Sequence, residues 1–245
     1  MQLILSDFQD QLVRGLSHRM NNILSLFHGY LGLLMDDAKL NAVTREGLKK
    51  IREGAREATE LIERTNAISR PASGIRCEVN LGDFLRQVAP SFEALHGPEV
   101  RIAVECPQDL PRVWVDPSRM KLALIELVRN ACEADASTVA IRATSIEDLV
   151  QAELFPGSFP PAHGQWVKIE VTGNGCVIPM SDANLIYEPF YSTKKARHCS
   201  GLGLAVALAC TQQFGGSLQH RSRKGETTFE MVLPARAQQP LSAVA

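Results

Sequence analysis

The sequence predicts an α+β protein: a long helical hairpin, then a second domain in which strands and helices alternate. Three observations carry this. Apolar residues recur every three or four positions through residues 1–70. The run Arg70-Pro71-Ala72-Ser73-Gly74 breaks that pattern. Beyond it, short segments with period two alternate with segments of helical period.

The hairpin comes first. Leu5, Phe8, Leu12, Leu16, Met20, Ile23, Phe27, Tyr30 and Leu34 form one apolar stripe. Asp36-Asp37 and Lys39-Leu40-Asn41 interrupt it. A second stripe then runs through Leu48, Ile51, Ala55, Ala58, Ile62 and Thr65, with charged residues filling the remaining positions. Two amphipathic helices cannot enclose a core alone. The economical solution is a four-helix bundle made by a homodimer through residues 1–70.

Residues 71–75 read as a linker and residues 76–236 as the second domain. Val100 to Val104 alternates like a half-buried strand, and Trp114-Val115 is a short one. Asp116-Pro117 starts a helix, a capping residue followed by proline at the first helical position, and the helix reaches about Asp135. Thr138 to Ala143 and Trp166 to Val171 read as strands, separated by a proline-containing loop over 146–165. A glycine-opened helix over Gly201 to Phe214 and strands near 217–221 and 227–233 complete the domain. Residues 237–245 read as a disordered tail.

Composition narrows the function. Apolar residues are 45% of the 245 and charged residues 22%, so a packed core is available. Lys plus Arg number 26 against 27 for Asp plus Glu, a net charge of −1 that argues against a nucleic-acid partner. The best apolar run, Gly201 to Cys210, is far short of the roughly 18 residues of a membrane span, and no secretory signal is visible. Six cysteines at 77, 106, 132, 176, 199 and 210 form no CxxC and no regular spacing, which disfavours zinc and disulfide frameworks. The expected setting is the cytoplasm, with reduced thiols.

Five segments carry chemistry. In Leu16-Ser17-His18-Arg19-Met20-Asn21-Asn22, His18 falls off the apolar stripe and should face water, with Asn22 one turn later on the same face. Neutral imidazole has a lone pair that can attack phosphorus, and the Asn22 amide could hold a water in line with the resulting bond. In Glu126 to Ala134, Glu126, Asn130 and Ala134 lie one turn apart on a face expected to be solvated, and the Asn130 carbonyl suits magnesium. Val171 to Pro179 runs a strand into a glycine turn, and Tyr187 to Lys194 is an aromatic and proline loop ending in a cation. Gly201-Leu202-Gly203-Leu204 opens a helix whose backbone N–H groups could approach phosphate.

In this order and spacing the segments resemble the histidine protein kinases of two-component systems, nearest the hybrid and nitrogen-regulator branches. Leu16 to Asn22 resembles the phosphoacceptor box, Glu126 to Ala134 the asparagine box, and Gly173 to Pro179 the first glycine box. Glu188 to Lys194 is similar to the phenylalanine box and Gly201 to Leu204 to the second glycine box. The resemblance implies an α/β sandwich, a mixed sheet with helices on one face, of the GHKL type shared with gyrase and Hsp90-type ATPases. It implies that His18 receives the γ-phosphoryl group of ATP and passes it to an aspartate of a response-regulator receiver domain. Asn130 would hold Mg2+; Asn174, Gly175, Lys194, Gly201 and Gly203 would contact the nucleotide. Asn22 would position water for the reverse reaction. Glu126 would stand where some relatives place a water-activating base, though a solvated glutamate is the plainer expectation.

Three residues depart from the family pattern. Arg19 replaces the acidic residue that follows the histidine, and it cannot accept a proton. Gly173 replaces the aspartate that binds the adenine amino group, and Val177 replaces a glycine. The implication is weak ATP binding that a carboxylate restored at position 173 should strengthen, by about 1.5–3 kcal/mol. A scaffold that binds regulators without using ATP is the alternative these departures suggest.

Overall fold

The computed structural model describes residues 2–37, 40–69, 75–96, 99–107, 109–147, 165–193 and 200–235, with side chains left out at 2–12, 14 and 94–96. The 71–74 linker, most of the 146–165 loop, Lys194 and the 237–245 tail lie outside the described residues. The chain divides into two compact units, Met1–Arg70 and Pro71–Ala245.

The first unit is the hairpin of α1 (Gln2–Met35) and α2 (Ala42–Ser69). Asn41 starts α2, its Oδ1 accepting from the Thr44 amide at 2.8 Å. The helices meet through Ser17 and Leu31 of α1 and through Ala55, Ile62, Arg64 and Ala67 of α2, all buried. The apolar stripe of α1 does not lie in that seam. Leu16, Met20, Ile23, Phe27, Tyr30 and Leu34 are all exposed, Ile23 at 53%. One hairpin therefore satisfies only one side of α1.

The second unit holds a five-stranded sheet in the order β2-β4-β5-β7-β6. Its strands are β2 (Arg101–Glu105), β4 (Thr138–Glu147), β5 (Gln165–Gly173), β6 (Ser217–Arg223) and β7 (Glu226–Pro234). Among the described strands only the β2–β4 pair is parallel. A two-stranded antiparallel ladder joins β1 (Cys77–Val79) to β3 (Val113–Val115). The helices are α3 (Leu81–His96), α4 (Pro117–Glu133) and α5 (Gly203–Gln213).

Alternation decides which face of the sheet the core uses. Val139 and Ile141 of β4, Val167, Ile169 and Val171 of β5, and Phe229, Met231 and Leu233 of β7 are buried. Met120, Leu124, Leu127 and Val128 of α4, and Val206 and Cys210 of α5, are buried with them. The alternate positions carry charge: Arg142 pairs with Glu105 at 2.7 Å, and Arg221 bridges Glu170 at 2.8 Å and Glu230 at 3.0 Å.

The structure adds β1 and α3 to the elements the sequence predicts and lengthens β4 and β5. The α3 helix contains Pro90, which reads as a breaker in a bare sequence yet is tolerated inside this helix. Strand β4 extends to Glu147, two residues into the expected loop, because Ile146 and Glu147 still pair with Trp166 and Gln165.

Helix α4 begins as Asp116-Pro117 predicts. The Asp116 carboxylate accepts from the amides of Ser118 at 2.9 Å and Arg119 at 3.3 Å. At this same end of α4, Arg119 Nη1 donates to Gln213 Oε1 of α5 at 2.5 Å, and Arg76 donates to the Gln213 carbonyl. Asp116→Ala should cost about 1–2 kcal/mol and lower the thermal midpoint by roughly 2–8 °C in a calorimetric melt. An unchanged midpoint would show that the cap is replaceable by water.

Candidate functional site

In the hairpin, His18 is exposed, while its neighbour Ser17 is buried toward α2. The ring is thus presented outward by a helix anchored one residue away. Asn22, also exposed, lies one turn on, with Nδ2 3.4 Å from His18 Nδ1. Nδ1 is the nitrogen turned to the amide, which leaves Nε2 to face an incoming group. Arg19 is exposed beside it and offers no acceptor.

In the second unit the site is built around α4. Glu126 is only 3% exposed, which corrects the expectation of a solvated glutamate. The start of α5 covers it: a Cβ added at Gly203 would lie 2.9 Å from Glu126 Oε2. Arg129 Nη1 lies 4.0 Å from the same carboxylate. Asn130, one turn further and half-buried, shares the face that carries Glu126.

The second glycine segment fixes the approach to α5. Gly201 has φ +66°, and a Cβ there would lie 2.5 Å from the Phe190 carbonyl carbon. Phe190 donates its amide to the Gly201 carbonyl at 2.9 Å. The aromatic loop is thereby tied to the helix start. A second tie runs from Tyr187, whose hydroxyl meets His220 Nδ1 of β6 at 3.1 Å. Burial lowers the pKa of His220 and raises that of Tyr187, so the neutral ring accepts from the phenol. Among the described residues no side chain caps the first turn of α5 at Leu202, and its N–H groups form an anion-favouring helix start.

The first glycine segment packs on the other end of α4. Gly173, the last residue of β5, pairs with Val139 and Thr227, and a Cβ there would lie 2.8 Å from Ala131 Cβ. At Gly175 a Cβ would strike the Ala134 carbonyl. Cys176 donates to that carbonyl at 2.7 Å. The Asn174 amide is used by the fold: Oδ1 accepts from the amides of Ser137 and Thr138, both at 2.9 Å, and Nδ2 donates to Ser137 Oγ at 3.0 Å. A carboxylate cannot simply be restored at 173, because Ala131 occupies the space its Cβ needs. Val177 is 47% exposed and packs into no core.

Ser222 and Thr227 support this turn and left no signal in the sequence, where they read as ordinary strand residues. Ser222 Oγ accepts from the Ile178 amide at 3.2 Å, and Thr227 Oγ1 donates to the Cys176 carbonyl at 3.3 Å. Ala131 was equally silent, since an alanine in a helix announces nothing about the backbone packed on it.

The donor set fits a nucleotide with a hard cation. The α5 start offers backbone N–H groups to phosphate, and Asn130 and Glu126 offer oxygen atoms beside it. Among the described residues no three His, Cys, Asp or Glu side chains gather as a metal site. A magnesium ion here would use the Asn130 oxygen together with phosphate and water, as that ion commonly does.

Comparison with known proteins agrees with this geometry. Residues 115–237 match the family described as histidine kinase-, DNA gyrase B- and HSP90-like ATPase. Residues 8–74 match the His Kinase A (phospho-acceptor) domain. The chain is 28% identical over 228 residues to the sensor kinase CckA of Brucella abortus, covering 91% of this chain and 24% of that protein. It is 27% identical over 236 residues to the sensory histidine kinase/phosphatase NtrB of Salmonella typhimurium, covering 92% and 62%. The chain thus spans less than two thirds of these relatives. Among solved structures, full-length ShkA in complex with AMPPNP matches with a TM-score of 0.71 at 22% identity, over 95% of this chain and 48% of that one, a likeness of fold. The catalytic domain of the histidine kinase ThkA matches with a TM-score of 0.51 at 28% identity, over 65% of this chain and 95% of that one. The phospho-acceptor match falls on the hairpin that presents His18 and the ATPase match on the unit built around α4; the chain belongs to the histidine kinase-, DNA gyrase B- and HSP90-like ATPase family, as a two-component histidine-kinase core.

Proposed function

We propose that the chain autophosphorylates on His18 from ATP and passes the phosphoryl group to an aspartate of a response-regulator receiver domain. The observation that carries this reading is His18 itself, an exposed imidazole on a rigid helix with Nδ1 turned to Asn22. The transfer uses the tautomer with its proton on Nδ1, so the Asn22 amide would present its oxygen rather than its nitrogen there; the Nε2 lone pair then forms the phosphorus–nitrogen bond. The bond from phosphorus to the bridging oxygen breaks, and ADP leaves with that electron pair. The α5 start, Gly201, Gly203 and Lys194 would hold the phosphates. Magnesium held by Asn130 would neutralise charge on them. Glu126 is the buried carboxylate nearest this group and would orient the metal's water. Asn22 would position water in the reverse reaction. An ATP-fed module of this kind works on the cytoplasmic side.

Arg19 and Gly173 bear on rate and affinity. Arg19 takes no proton from the ring, which slows the forward step, and Gly173 gives the adenine amino group no acceptor. Neither changes the class of reaction.

The exposed stripe of α1 supports a homodimer through residues 1–70. The intact chain should scatter light as a dimer at tens of micromolar. Ile23→Asp should dissociate or unfold the bundle, since it would bury an unpaired charge at the seam. A monomeric wild-type mass would overturn the assembly.

Label from ATP or from a phosphorylated receiver should appear on the chain in an acid-labile, base-stable form. His18→Ala should abolish it with circular dichroism unchanged, because the side chain is exposed. Label surviving in that variant would move the nucleophile elsewhere.

Calorimetric titration should find weak binding of MgATP. Gly173→Asp alone should destabilise the fold and gain little, given the 2.8 Å approach to Ala131 Cβ. Ala131→Gly with Gly173→Asp makes the room and should tighten binding by roughly tenfold, at about 1 kcal/mol of helix stability. Tight binding by the unaltered chain would show that another group reads the base.

A further inference from the structure

The aromatic loop is held in a strained conformation that its own packing does not explain. Phe190 has φ +68°, a left-handed backbone that a bulky residue adopts only at a cost. Its side chain is 72% exposed, so burial of the ring does not hold it there. Its amide is spent on the Gly201 carbonyl at 2.9 Å, the bond that joins the loop to the approach to α5. Strain of this kind persists only where the surroundings over-determine it.

Strand β6 supplies the anchors. Leu218, His220 and Ser222 alternate along it and pair with Met231, Phe229 and Thr227 of β7. Leu218 is buried in the core, and Ser222 Oγ accepts from the Ile178 amide at 3.2 Å. His220 Nδ1 accepts from the Tyr187 hydroxyl at 3.1 Å, and its ring lies 5.8 Å from that of Tyr187 and 6.0 Å from that of Phe229. One strand thus holds the chain where it leaves the glycine turn and again just before the strained Phe190. The surroundings of the ring are uncharged. Cys210 is the titratable side chain of α5, its thiol pushed up to about 11 by burial. Glu230 of β7 and Arg221 of β6 pair with each other at 3.0 Å at positions that alternate with Phe229 and His220, on the opposite face of the sheet. Glu188 of the loop is exposed to water.

We infer that Tyr187 and His220 are positioning residues for the nucleotide: their bond holds the aromatic loop in the turn that aims the start of α5 at phosphate, and it slackens when the imidazole takes a proton. This rests on the nucleotide reading proposed above. Burial lowers the pKa of His220 while the loop is tied down, and release to water would return the ring to about 6.5. The tie is therefore complete above about pH 6.5 and is lost as the pH falls through the lowered value.

Two variants of the full chain test this. In the nucleotide-free protein at about pH 7.5, Tyr187→Phe should speed hydrogen exchange over residues 186–191 and leave β7 unchanged, because the opening is local. The same variant should bind MgATP about fivefold more weakly by calorimetry. His220→Asn offers Oδ1 in place of Nδ1 and does not titrate. It should match the wild type at about pH 7.5 and bind more tightly than the wild type at about pH 6. Unchanged exchange in Tyr187→Phe would overturn the tie. Faster exchange with unaltered MgATP affinity would overturn the positioning role, and matching pH profiles for the wild type and His220→Asn would overturn the part of the proton. A wild-type chain that binds no MgATP would overturn the nucleotide reading and the positioning role together, whatever the exchange shows.

Discussion

Helix α4 is approached by three glycine backbones, two of them at distances that exclude a side chain, and the nucleotide unit is organised by that constraint. Gly173 and Gly175 press on Ala131 and Ala134 near its C-terminal end, and Gly203 presses on Glu126 in its middle. Each contact fixes a loop that would otherwise have no reason to hold one conformation. The turn after β5 is further held by Asn174, Ser222 and Thr227. The aromatic loop is held through Gly201 and Phe190. Close packing thus converts flexible residues into a shaped cradle, because glycine lets backbone reach where no other residue can.

The same packing sets the electrostatics. Covering Glu126 with the start of α5 puts a carboxylate beside a helix N-terminus, where the dipole favours negative charge. The oxygen-rich face shared by Glu126 and Asn130 then suits a hard cation between protein and phosphate. Gly173 shows the opposite side of close packing. Its neighbour Ala131 has closed over the position, so the departure from the family pattern belongs to two residues and cannot be reversed at one.

The hairpin divides its labour by face. Small and apolar residues, with Arg64, join α1 to α2, while the larger apolar residues of α1 point away from that seam. His18 stands on neither surface, which lets the proposed phosphoryl acceptor be presented by a rigid element without taking part in its packing. Local order and chemical exposure are compatible because the helix is anchored through other positions, Ser17 among them.

Much of this was legible in the sequence. Period and capping residues locate α1, α2, α4, α5 and most strands, because hydrophobic spacing and an Asp-Pro start are local signals. The order of the five motifs identified the family, and His18 and Asn130 stood out by residue type. The α3 helix, with Pro90 inside it, is not among the elements the sequence predicts. Glu126 was misread because amphipathicity describes one helix and cannot say that a second helix start will cover its polar face. Whether Asn174 meets a ligand or its own backbone, whether Ala131 blocks Gly173, and whether the α1 stripe faces inward or outward depend on segments far apart in the chain. Sequence by itself determined which elements form, since that is settled within a few turns. Tertiary structure decided what each side chain touches, since only packing brings α4, the β5 turn and the α5 start to a shared surface.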